Sequence, residues 1–450
     1  MADLDAEALA GRLSERSPSG IAEQIRELID AGILTSGTRL PTVRDVATEV
    51  GVSVGTIAQA WAMLREGGLV ETRRRGGTRV VGDDSPGPEA FPGWHALDLL
   101  FCSPDPTLLP PMEEAFTKAL RQPAVNTWGR DHIVEALHTE VQRLLGEEPH
   151  AAMAVNSGAQ GLWLATRAAA SPGQTVAVEE PASPGYLAAV RSMGVEPVGI
   201  PVDSEGPLPE PLHAALEGTA VAFVHSPSGP FSDRHRLSAA RREALGAVLE
   251  AHSSAVIIED EPLTLASDAD LSECSLQPHF PARTMRVLGF ERAFGLDLRT
   301  SVLTGSKALV DRAVSHRFGG MSSNSRILQY ALTQLLRDPT ALRRIESARS
   351  RYAARRRMAL GAFESAGLAA RSGPSSWAVW VEVPDEQQAA LALSGEGVTV
   401  DVGANSFVSA QPTGLLRLSA AHLPEDAGLL ENLGTLIRRA SSGELNATFV

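Results

Sequence analysis

The sequence predicts a chain of several domains: a small helical head ending in a basic β-hairpin, a large α/β domain, and a smaller α+β segment. Three observations carry this reading. Residues 37–81 compress two short helical patterns and two β-like pieces into one stretch. From about residue 95, apolar runs alternate with Ala/Leu-rich helical patterns. Between them lies GDDSPGPEAFPGW, residues 82–94, which is rich in proline, glycine and acid and has no period. It reads as a linker, semi-extended because of its prolines. At 450 residues the chain has room for two or three domains.

In the head, residues 1–81, Val43, Val46, Ala47 and Val50 recur at helical spacing until Gly51 breaks the pattern. Ser53 caps a second helix whose apolar face is Ile57, Trp61 and Leu64. Gly67-Gly68 ends it. LVET and TRVV follow as short strands, joined by Arg73-Arg74-Arg75-Gly76-Gly77. Two helices across a tight turn and then a basic hairpin make a winged helix-turn-helix. Such a unit lays its second helix in the DNA major groove and its wing on the backbone.

Charge agrees with that. Residues 36–81 hold seven arginines against four acids, a net of +3, in a chain whose total is -14. Only this segment suits phosphate; the rest repels a polyanion. Gly55, Gln59 and Met63 lie opposite the apolar stripe, with Ser53 and Thr56 near the helix start, and such side chains can approach base edges. The competing reading is a solvated helical hairpin with an accidental arginine run.

The pieces GIAEQIRELIDAG, GTRLPTVRDVA, VGVSVGTIAQAWAML and GLVETRRRGGTRVV closely resemble the DNA-binding domain of the GntR family of bacterial transcription factors, across residues 18–81. The resemblance implies DNA contacts from Arg44, Ser53, Thr56 and Gly77, with Arg39, Gln59 and Arg75 beside them.

Composition bounds the remainder. Hydrophobic content of 43% supports a packed core. No apolar run reaches about 18 residues, so no membrane span is expected. The acidic start MADLDAEALAGRL lacks a signal-peptide pattern, and a cytoplasmic protein is expected. Cys102 and Cys274 are the only cysteines, without metal-like spacing, and read as buried structural thiols. Lys118 and Lys307 are the only lysines among 40 basic residues.

In residues 95–334, AAMAVNSG, TVAVEEP, TAVAFVHSP, SAVIIEDEP and RTMRVLGF are short and almost continuously apolar. Strands of that kind between helices indicate a parallel sheet covered on both faces. Ligands bind at the carboxyl ends of such strands, and the polar residues gather there: Asn156-Ser157-Gly158, Glu179-Glu180-Pro181, His225-Ser226-Pro227 and Glu259-Asp260-Glu261. Residues 335–450 begin with a long basic helix and continue through WAVWVEVPD and LLRLSAAHL, a smaller α+β subdomain.

Residues 95–445 resemble the fold-type I aminotransferases that use pyridoxal 5′-phosphate, and a GntR head on this fold resembles the MocR subfamily of regulators. The resemblance puts the cofactor phosphate at Ser157, Gly158 and Ala159, on a helix N-terminus that favours an anion. It gives Asp260 to the pyridine nitrogen, Arg299 to the phosphate and Arg417 to a substrate carboxylate, a bidentate task suited to guanidinium. Other positions depart. Where the family has Ser-x-Ser-Lys, this chain has Gly289, Phe290, Glu291 and Arg292, so the Schiff-base lysine is an arginine. Ser226 stands for the asparagine that bonds the ring hydroxyl. Pro262 replaces a tyrosine. Ser183 replaces the stacking aromatic, with Tyr186 three residues on.

An aminotransferase needs a neutral amine, and a guanidinium with pKa above ~12 cannot supply one. The expectation is a DNA-binding regulator whose degenerate, non-catalytic body dimerises and senses a small anionic ligand through Asp260, Arg292, Arg299, Arg417, Ser226 and the 157–159 turn. No covalent cofactor is expected; noncovalent pyridoxal phosphate or a related anion stays open. Two alternatives remain: a regulator without a small-molecule effector, and an active aminotransferase with Lys307 as a relocated amine.

Overall fold

The computed structural model describes residues 6–30, 34, 38–67, 69–73, 77–80, 97–127, 131–146, 151–227, 229, 231–232, 237–267, 271–317 and 323–445. The chain divides into two compact units, Met1–His95 and Ala96–Val450. The linker read at 82–94 and Arg75 of the wing lie outside the described residues.

The first unit holds helices α1 (Ala6–Ala10), α2 (Pro18–Asp30), α3 (Val43–Val50) and α4 (Val54–Glu66) and strands β1 (Arg39–Leu40), β2 (Val70–Arg73) and β3 (Gly77–Val80). Thr42 caps α3 by accepting from the Asp45 amide, and Gly51 ends it with φ 72°, a left-handed conformation that glycine adopts without a Cβ clash. Ser53 caps α4 by accepting from the Thr56 amide at 3.1 Å. Ile21, Ile25, Val46, Ile57, Trp61, Leu64, Val70 and Val80 close one apolar core. That burial turns the opposite face of α4 outward.

The second unit is built on a seven-stranded sheet. Its strands are β4 (Ala151–Val155), β5 (Thr175–Glu179), β6 (Glu196–Ile200), β7 (Ala220–His225), β8 (Val256–Glu261), β9 (Thr284–Leu288) and β10 (Ser301–Gly305), in the order β4-β10-β9-β8-β7-β5-β6. The run EPVGI, which forms β6, is too polar to stand out in the sequence. β10 runs antiparallel to both neighbours, against the expectation of a wholly parallel sheet. The twelve residues between β9 and β10 hold only α6 (Glu291–Phe294) and one 3-10 turn, and no long crossover helix of the kind that usually returns a strand parallel. Helix α5 (Gly158–Ala169) starts directly beyond β4. Apolar clusters lie on both sides of the sheet.

The chain then forms α7 (Pro339–Ser365), a four-stranded sheet of β11 (Ala370–Arg371), β12 (Ala378–Val383), β13 (Asp401–Val402) and β14 (Gly414–Ser419) in the order β11-β12-β14-β13, and α8 (Ala427–Ser441). Phe363, Val379, Val381, Leu416, Leu418 and Ile437 form its core. Both cysteines are buried and unbridged. Among the described residues no helix is long and apolar enough to cross a membrane.

Candidate functional site

Two places gather functional side chains. In the first unit, Arg44 is exposed beside the cap of α3, and Ser53, Gln59 and Met63 are exposed on α4. The Ser53 and Thr56 hydroxyls lie 2.8 Å apart at the start of α4. Gly77 has φ 76°, and a Cβ there would stand 3.0 Å from Arg39 Nε. Glycine therefore lets the exposed Arg39 guanidinium lie against the wing. Arg39 and Arg79 face each other across the β1–β3 pairing. Polar side chains are thus exposed on α4 and cationic ones adjoin the wing, alongside the exposed Val54 and Met63 of α4.

In the second unit, the carboxyl ends of β5, β7 and β8 surround a cleft of ≈ 30 Å³ lined by Glu179, Ser183, Tyr186, His225, Ser226 and Asp260, among others. Alternation along β8 sorts its acids. Glu259 and Glu261 meet Arg286 of β9, whose Nε is 3.3 Å from one carboxylate and 2.7 Å from the other. Asp260 takes the other face and the cleft. Burial pushes its carboxyl up to about 7, with the Arg292 guanidinium working against that and nearby acids adding to it. His225 sits 2.6 Å from Glu179. Burial disfavours its imidazolium, but Glu179, Glu259 and the Cys274 carbonyl together outweigh burial and the net shift is upward.

The remaining residues are placed as follows. Ser226 donates its hydroxyl to the Asp260 carbonyl at 3.0 Å, and its amide donates to Glu179 at 3.1 Å. Tyr186 is buried, its hydroxyl 3.0 Å from that of Thr166. Ser157 caps α5 through the Gln160 amide, and Ala159 is exposed. The Gly158 amide, at the first turn of α5, donates to Glu291 Oε1 at 2.7 Å. Arg292 Nε donates to the Cys102 carbonyl at 3.0 Å. Arg299 is exposed, has left-handed backbone at φ 45°, and forms no side-chain hydrogen bond or ion pair among the described residues. Arg417 is buried and paired with Asp401, the residue opposite it on β13, and also bonds Cys102 Sγ at 3.2 Å. Lys307 is exposed and pairs with Asp311 at 2.6 Å.

Sequence reasoning missed four participants: Asn324, Asp401, Glu179 as partner of His225, and Glu291 as an anion. Asn324 Nδ2 donates to the Arg299 carbonyl at 2.7 Å and to Asn156 Oδ1 at 3.2 Å, tying the end of β4 to the arginine. Only Glu291 carried a readable signal, an acid at a serine of the family's Ser-x-Ser-Lys. The cofactor that the aminotransferase fold implies can be tested against this arrangement. The Glu291 carboxylate already holds the Gly158 amide at the start of α5, and the Arg292 guanidinium is held by the Cys102 carbonyl. These residues do not fit a pyridoxal phosphate.

A DNA-reading winged helix followed by an aminotransferase-like body defines the class of protein. Residues 18–80 match the bacterial regulatory proteins of the gntR family, and residues 99–428 match aminotransferase class I and II. The chain is 30% identical over 411 residues to the vitamin B6 salvage pathway transcriptional repressor PtsJ of Salmonella typhimurium, covering 89% of this chain and 93% of that one. It is 28% identical to the pyridoxine biosynthesis transcriptional regulator PdxR of Corynebacterium glutamicum, over 64% of this chain and 63% of that one. The body has the fold of the Thermus thermophilus aspartate aminotransferase solved with maleate, with TM-score 0.66 and 24% identity over 77% of this chain and 92% of that one. The chain belongs to the GntR-type transcription regulators that carry an aminotransferase class I and II domain, the MocR type.

Proposed function

We propose that this regulator's aminotransferase-like body carries out no transamination, pairs as a homodimer and senses a small anionic ligand that alters DNA binding. The observation that carries the first part is Arg292. A guanidinium cannot form an imine or shuttle a proton at neutral pH, and this one is engaged with the Cys102 carbonyl. Lys307, the only lysine near it in sequence, is engaged with Asp311 at the surface. The relatives named above are called regulators, of vitamin B6 salvage and of pyridoxine biosynthesis. For the ligand, the support is Arg299. It is a cation without a protein partner among the described residues, held in a left-handed conformation by the Asn324 side chain. Non-glycine residues keep such backbones where function over-determines them.

The test is operator binding. A duplex from the region upstream of the chain's own gene is titrated with full-length protein, alone and with a panel of small carboxylates and phosphates. At least one anion should shift the affinity, and Arg299→Ala should abolish the shift while leaving the ligand-free affinity intact. Borohydride reduction with pyridoxal phosphate present should leave Lys307 without a pyridoxyl adduct; an adduct there would mean an amine had moved into the catalytic role. Pairing as a homodimer implies two operator half-sites. A monomer in sedimentation at micromolar concentration would contradict it.

A second reading, control without a small molecule, is favoured by one observation: charged groups of the body already meet protein partners, Arg417 with Asp401 and the start of α5 with Glu291. A thermal-shift screen that stabilises nothing would select it.

A further inference from the structure

The start of α5 is a place where a helix dipole and free amides attract an anion. In this chain the anion is built in. Glu291 Oε1 accepts the Gly158 amide at 2.7 Å, while Ser157 takes the Gln160 amide. The carboxylate is held by a stiff frame. Phe290 and Phe294 on either side are fully buried, and the Gly289 amide donates to the Glu261 carbonyl at 2.9 Å. Gly289 makes the room. A Cβ there would lie 2.9 Å from Pro262 Cα and 3.3 Å from Glu291 Oε2. Three departures from the aminotransferase pattern, Gly289, Glu291 and Pro262, therefore meet at one spot. A phosphate group approaching α5 would find the Gly158 amide taken and a like charge at contact distance.

We propose that Glu291 is a tethered anion standing in for a ligand phosphate, so that this cleft selects against phosphate monoesters, pyridoxal phosphate included. The proposal deepens the reading of the body as a ligand sensor and rests on it: the anion sensed through Arg299 carries no phosphate into the α5 cup. Its test is a binding measurement that does not depend on DNA. Full-length protein and the variants Glu291→Ser and Glu291→Gln are titrated by calorimetry with inorganic phosphate and with 4′-deoxypyridoxine 5′-phosphate, a pyridine phosphate without an aldehyde. The wild type should show no saturable binding up to millimolar concentration. Glu291→Ser should bind at least about tenfold more tightly, the size expected when an opposed charge at a helix start is removed. Glu291→Gln is nearly isosteric and carries the test if the serine variant does not melt cooperatively; it should gain affinity by at least a few-fold. Saturable binding by the wild type equal to that of the variants overturns the proposal, and so does no binding by any of the three. The sensor reading fails separately, when no ligand of any class shifts the wild type's operator affinity.

Discussion

Arg44 in the first unit and Arg417 in the second both stood out in the sequence, yet the fold uses them in opposite ways. Arg44 is exposed, with no side-chain partner among the described residues. Arg417 is buried and committed to Asp401. The contrast extends to their neighbours. On α4 the residues opposite the apolar stripe reach water, whereas in the second unit Ser226, Tyr186, Arg292 and Glu291 spend polar atoms on the protein itself. A surface that must exchange water for a polyanion keeps its donors free. A buried cluster of charges is stabilised when its members close against one another, because an unpaired buried charge is costly.

The largest effect expected from this contrast is on stability. Arg417→Ala leaves Asp401 buried without its partner and should cost about 3–5 kcal/mol in urea unfolding. The paired change Arg417→Met with Asp401→Asn should recover most of that. A loss no greater than that of Arg44→Ala would break the comparison.

Asp260 gives the next largest. In the native protein its carboxyl keeps a proton up to about pH 7, whereas the unfolded chain releases it near the ordinary aspartate value. The unfolded state thus binds fewer protons between about pH 4 and 7, so this group's contribution to stability falls as pH rises through that window and is level above it. Asp260→Asn should therefore stabilise the protein at pH 8 relative to pH 5, by up to about 4 kcal/mol as a ceiling. Thermal melts of both proteins across pH 4–9 would check the sign.

Arg44→Ala is expected to weaken specific operator binding by roughly 1–3 kcal/mol if the side chain reads a base. Its unfolding free energy should stay within about 0.5 kcal/mol of wild type. A matching loss of stability would show that Arg44 is structural after all. The smallest effect belongs to Ser53→Ala, which removes the α4 cap and should cost about 1 kcal/mol of stability. An operator-affinity loss well beyond that would assign Ser53 a contact of its own.

What was legible follows from the range of the interactions. The helices 43–50 and 54–66, their caps at Thr42 and Ser53, and the hairpin strands depend on spacing and capping within a few residues, and sequence reading reached all but the Thr42 cap. The apolar strands β4, β5, β7, β8 and β9 were readable because burial on both faces leaves no polar alternation. β6 was not, since its run EPVGI mixes charge, proline and glycine.

Gly289, Phe290, Glu291 and Arg292 were visible in the chain itself, and no fold turns a guanidinium into a nucleophile. The tertiary structure alone decided what these residues touch. Glu291 reaches Gly158 across 133 residues of sequence, and Asn324 reaches Asn156 across 168. Asp401 meets Arg417 only because β13 and β14 align in that register. Each contact depends on which strand ends the sheet brings together, and local periodicity carries no record of that.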